Sequence, residues 1–87
     1  MKSSPVIKHS IGIDGRRTSI SLEDVFWTAL KEIAKERGKT LSQLVTSINA
    51  NREFANLSSA LRVFVLQHYK DQFARREIFD QREITIQ

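Results

Sequence analysis

The chain has 87 residues, no cysteine, 14 Lys plus Arg against 10 Asp plus Glu, and a formal charge of +4 at pH 7. That length is one domain by the usual prior. The missing cysteines exclude disulfides and thiolate-bound metals, and His9 and His68 stand far apart with no clustered carboxylate beside them, so no metal or other cofactor is expected.

A domain this small buries only about 60% of the surface its unfolded chain exposes, and a second copy is the expected source of the missing core. No apolar run approaches the roughly 18 residues needed to cross a bilayer. Met1-Lys2-Ser3-Ser4-Pro5 has no apolar stretch behind it, so it does not read as a secretory signal, and the cytoplasm is the expected compartment. The basic excess suits a polyanionic partner and equally suits a plain solvated face. Its distribution is uneven, with Lys2, Lys8, Arg16 and Arg17 set against Asp14 within residues 1–22.

In chain order, residues 1–6 read as a flexible N-terminus, residues 7–73 as the folded domain and residues 74–87 as a C-terminal tail. Ile7, His9, Ile11 and Ile13 alternate with polar residues and glycine. After Asp14-Gly15, Thr18, Ile20 and Leu22 alternate with Arg17, Ser19 and Ser21. Asp-Gly between alternating runs is a strong hairpin signal, because both central residues take positive φ. A two-residue turn pairs Ile13 with Arg16, Ile11 with Thr18, His9 with Ile20 and Ile7 with Leu22, giving one mostly apolar face. The other face is polar or glycine throughout, and a one-residue slip would mix the two.

Near Glu23 the period becomes helical. Val25, Phe26, Ala29, Leu30, Ile33 and Ala34 form a stripe, with Ser21, Glu23 and Asp24 expected to supply its cap and first-turn acidity. Gly38 suits the left-handed position that ends a helix. Thr40-Leu41-Ser42-Gln43 reads as a capping box, opening a second helix with the stripe Leu41, Leu44, Val45 and Ile48 that runs to about Asn51. A third helix starts at Asn56 or Leu57 and carries Leu57, Ala60, Leu61, Phe64, Val65, Tyr69 and Phe73, with Val63 and Leu66 on another side. Apolar residues on more than one side imply deep burial, against a second subunit in so short a chain. Ile84 and Ile86 alternate, leaving an edge strand or a loose tail open there.

Thr18-Ser19-Ile20-Ser21-Leu22, then an amphipathic helix, a glycine and Thr40-x-Ser42, resemble the ribbon-helix-helix repressors in order and spacing. The likeness covers roughly residues 7–70. With the basic N-terminal arm, Phe26-Trp27 and Asn56-Leu57-Ser58-Ser59-Ala60-Leu61-Arg62, it is similar to a bacterial subgroup with a third helix. The resemblance implies a mostly α chain with a short β-ribbon, three helices per chain and a homodimer. In that family one strand from each subunit pairs antiparallel, and the ribbon enters the DNA major groove, about 12 Å wide. Carried over, the base-facing residues are Arg17, Ser19 and Ser21. The phosphate-contacting residues are Lys39, Thr40, Leu41 and Ser42 at the second helix's start, with Lys8 and Arg16. The dimer core is Ile20, Leu22, Phe26, Leu30, Ile33, Leu61, Phe64 and Val65.

Two points stay open in the sequence. The family's second helix is either 40–51 or 57–70. If residues 7–13 pair with 16–22, a dimer presents four strands, which are too broad to sit deep in the groove. The implied function is a sequence-specific transcriptional regulator whose dimers associate on adjacent half-sites. The alternative is a protein-interaction module or antitoxin on the same scaffold, with a partner protein held by residues 74–87. No catalytic group is expected. Phe26 and Trp27 read as core filler, His9 as a core residue, and His68 beside Tyr69 lacks a nucleophile and an orienting group.

Overall fold

The computed structural model describes residues 5–51 and 56–86, with the side-chain surroundings of those up to Arg76. Strand β1 (Val6–Ile13) and strand β2 (Arg16–Glu23) form an antiparallel hairpin, followed by helices α1 (Asp24–Glu36), α2 (Leu41–Asn51) and α3 (Leu57–Ile86). The expected register holds, with Ile13 opposite Arg16, Ile11 opposite Thr18, His9 opposite Ile20 and Ile7 opposite Leu22. Asp14 and Gly15 carry φ of 51° and 76°, the pair of positive values that a two-residue turn needs to follow the strands' twist. Ile11, Ile13, Ile20 and Leu22 are buried on one face, while Lys8, Ser10, Arg17, Ser19 and Ser21 are exposed on the other.

The N-terminus is tied down closer to its end than expected. Val6 already belongs to β1, and the Pro5 carbonyl accepts the Asp24 N–H at 3.1 Å; residues 1–4 lie outside the described residues. This contact also corrects the cap expected for α1. Ser21 and Glu23 belong to β2, and Glu23, extended at the helix head, makes no side-chain cap bond, which leaves Asp24 as the first-turn acid.

At the other end of α1, Gly38 has φ of 67°. The Lys39 N–H reaches Ala34 O at 2.9 Å and the Gly38 N–H reaches Lys35 O at 3.1 Å, the paired bonds that satisfy terminal carbonyls around a left-handed residue. Helix α2 opens with the expected box. Gln43 N–H donates to Thr40 Oγ1 at 3.0 Å, and Thr40 N–H donates to Gln43 Oε1 at 2.9 Å. The Asn56 side chain accepts the Ser59 N–H at 3.2 Å at the head of α3.

Helix α3 runs 30 residues, about 45 Å at the usual rise. It replaces both the tail and the edge strand considered for the C-terminal residues. No glycine or proline interrupts residues 57–86, so Ile84 and Ile86 continue a helix.

The core lies between the hairpin's apolar face and the three helices. Leu22, Leu30, Ile33, Leu44, Val45 and Leu61 are its most enclosed side chains. His9 stacks on Trp27 with ring centroids 3.9 Å apart and planes 9° from parallel. Among the described residues its buried Nε2 has no hydrogen-bond partner.

Candidate nucleic-acid interface

The turn fixes which backbone groups the hairpin offers outward. Its flanking pair, Ile13 and Arg16, exchanges both ladder bonds, and bonded pairs alternate from there. Arg17, Ser19, Ser21 and Glu23 therefore direct N–H and C=O to the far edge of β2, and Gly12 directs its own to the far edge of β1. Each edge is met at one place by the start of a helix. The Ser58 hydroxyl of α3 donates to the Ser21 carbonyl at 2.7 Å, and the Ser42 hydroxyl of α2 donates to the Gly12 carbonyl. Among the described residues no other element bonds to the outward groups of Arg17 and Ser19.

The solvent face of the hairpin presents Lys8 opposite Ser21, Ser10 opposite Ser19 and Gly12 opposite Arg17. It carries cations and hydroxyls up to its open end, where Glu23 is held by Arg62. Arg62 Nε donates to Glu23 Oε1 at 2.8 Å. That hydrogen bond, more than the opposite charge alone, holds the Glu23 carboxyl below its ordinary value. Arg16, at the turn, is exposed as well.

At the head of α2 the side chains expected to hold phosphate are occupied inside the chain. The Thr40 hydroxyl and N–H belong to the capping box, the Ser42 hydroxyl is on Gly12, and Leu41 packs against the core. The groups left there are the first-turn backbone N–H donors, Leu41 and Ser42, beside the exposed Lys39.

The residues expected to form a dimer core are enclosed to different degrees by the chain itself. Ile20, Leu22, Leu30, Ile33, Leu61 and Val65 are buried within one chain, and Phe26 and Phe64 are partly buried. The hairpin and three helices cover these positions among themselves because β1 and α2 add a layer that a lone strand would lack. The apolar surface left open is elsewhere. Val25, Phe26, Ala29, Val63, Leu66 and Tyr69 line a groove of about 410 Å³ between α1 and α3, with Arg62 at its rim. Phe73 stands exposed one helical turn beyond. Partial burial, aided by Glu32 and Glu36, pushes the Tyr69 hydroxyl above its ordinary pKa. Among the described residues of α3, Ala60, Leu61 and Val65 are the buried ones.

His68 joins the end of α1 to α3. Its Nε2 is 3.5 Å from the Glu36 carboxylate and its Nδ1 is 3.4 Å from Arg37, while Arg37 lies over the Phe64 ring at 5.1 Å. These are packing contacts. Sequence reasoning missed the pairs Ser58–Ser21, Arg62–Glu23 and Ser42–Gly12, since nothing local announces contacts between residues 30 or more apart.

Residues 6–69 match the family model described as a ribbon-helix-helix domain. That stretch includes both α2 and the first part of α3, so it favours neither as the family's second helix. Among solved structures the chain is similar to an uncharacterized protein from Bordetella pertussis Tohama I. The two share 34% identity and a TM-score of 0.71 over 85% of this chain and 63% of that one. The chain thus spans less than two thirds of that protein's length. No curated protein sequence matches the chain. No helix among the described residues is long and apolar enough to cross a membrane.

Proposed function

The chain belongs to the ribbon-helix-helix family, a non-enzymatic fold whose members generally bind DNA as dimers, and from that membership we propose that it is a sequence-specific transcriptional regulator acting as a homodimer. The observation that carries the reading is the hairpin's solvent face. It holds Lys8, Ser10, Arg17, Ser19 and Ser21 over an underside where Ile11, Ile13, Ile20 and Leu22 are buried, and among the described residues the β2 edge carries unpaired rungs at Arg17 and Ser19.

In this reading a second copy adds its β2 antiparallel to those rungs, which makes a four-stranded sheet β1–β2–β2–β1. Three strand spacings are roughly 14 Å, against a groove about 12 Å wide. Only the central β2 pair reaches the bases, and the β1 strands lie along the groove's walls. Arg17 offers a guanidinium for a bidentate guanine contact, and Ser19 and Ser21 offer hydroxyls. The α2 N-termini, set at the outer edges through Ser42 and Gly12, lie where the flanking phosphates run, with Lys39, Lys8 and Arg16 adding charge. The same second copy covers the α1–α3 groove, which meets the β2 edge at Arg62.

The test is selection of a preferred duplex from random sequence, followed by anisotropy titration over a range of salt. Affinity should fall steeply with salt. Arg17→Ala should lose about 1–3 kcal/mol per copy and flatten preference at the base it reads. Operator affinity and preference unchanged in Arg17→Ala would remove the role given to the ribbon.

A further inference from the structure

Gly12 is the one position on the hairpin's solvent face with no side chain, and the fold does not require a glycine there. It sits inside β1 opposite Arg17, its φ is not positive, and among the described residues a Cβ built on it would meet no atom within 4 Å. Glycine in a strand interior costs conformational entropy and packs nothing. Where the described residues leave the space empty, close approach by another molecule is one reason a strand keeps a glycine.

Its neighbours indicate the kind of molecule. Arg17 projects from the facing strand, and the Gly12 carbonyl holds the Ser42 hydroxyl, so the bare backbone forms the floor between an exposed cation and the head of α2. No acidic side chain lies on that face between Lys8 and Gly12 or between Arg17 and Ser21.

We infer that Gly12 is a clearance site for a DNA phosphodiester backbone, which crosses the outer strand there between Arg17 and the first turn of α2. The inference rests on the DNA-binding reading and adds the place where the groove wall sits. A side chain at Gly12 would hold that wall off the sheet and off the first turn of α2. The loss should be uniform over sequences, because backbone contacts carry no base information.

The test uses the full chain with Gly12→Val, read by anisotropy on the selected duplex and on a mixed-sequence duplex at low salt, by solution mass, and by urea unfolding. The expected result is an unchanged mass, an unfolding midpoint equal to or above that of the parent, and affinity lowered about tenfold or more on both duplexes. Parent-like affinity in Gly12→Val overturns the clearance site and leaves DNA binding by the parent standing. A parent that binds no duplex overturns the underlying reading and this inference with it. A change of mass in Gly12→Val assigns the space to a second copy and also overturns the inference. If Gly12→Val loses its helical spectrum, Gly12→Ala decides by the same criteria.

Discussion

Leu66→Asp isolates the second copy from the fold of the first. Leu66 keeps 59% of its surface open, and Val25 and Val63 beside it keep 59% and 44%. Enclosing a large apolar side chain contributes roughly 1.5–3 kcal/mol, so Leu66 has about 1–2 kcal/mol still to gain from a partner. In a two-fold dimer the groove occurs twice, and so does the substitution. An aspartate there forfeits the gain and faces a carboxylate without a partner toward apolar surface, at about 1–3 kcal/mol more per copy. The sum over both copies is about 4–10 kcal/mol, which weakens dimerisation by roughly three orders of magnitude or more.

The assay is sedimentation equilibrium over a range of concentrations, with circular dichroism as the check on folding. Because Leu66 points away from its own chain's core, the variant should stay helical and sediment as a monomer. The parent should unfold at a midpoint that rises with concentration, since association stabilises the folded state by mass action. Leu66→Asp sedimenting as a dimer at micromolar concentration would refute the placement of the second copy over this groove. A parent that unfolds independently of concentration would refute the need for a second copy at all.

Two further outcomes follow from single contacts. His9→Phe keeps a ring against Trp27 and removes the enclosed, unpartnered Nε2, so stability in urea should rise by about 1 kcal/mol; a lower midpoint would show that the nitrogen has a stabilising role. Glu23 ionises more readily in the folded chain because Arg62 donates to it. Its contribution is therefore fully present above the ordinary value of 4.5 and is lost as the pH falls through the lower folded value. Glu23→Gln should flatten that part of the acid unfolding curve, and a curve superimposable on the parent's would dissociate the bridge from acid stability.

The hairpin was legible because its signals are local and agree. Alternation from Ile7 to Leu22, with Asp14-Gly15 between, allows one register that separates apolar from polar, and that register is the one observed. The capping box at Thr40 and the stop at Gly38 were legible for the same reason, since each is written within four residues. The candidate site was legible in part. Which side chains face solvent on β2 follows from period two, whereas the burial of Leu30, Ile33 and Leu61 inside one chain depends on how β1 and α2 pack. Alternation at Ile84 and Ile86 misled because a short apolar period carries little weight beside an uninterrupted helical propensity.

The contacts that sequence could not announce narrow where a partner strand can add. Either edge of the hairpin would be a template for pairing if left bare. Ser42 closes β1 near the turn and Ser58 closes β2 near the open end, so the two helix starts block opposite ends of opposite edges. On β2 this leaves the stretch around Arg17 and Ser19, the same stretch whose side chains stand on the solvent face. A strand added there brings a second Arg17 and Ser19 alongside the first pair, concentrating donors and cations at the middle of the widened sheet. The restriction that limits pairing to a short ladder thereby also sets the spacing between the two copies of the groups proposed to read DNA.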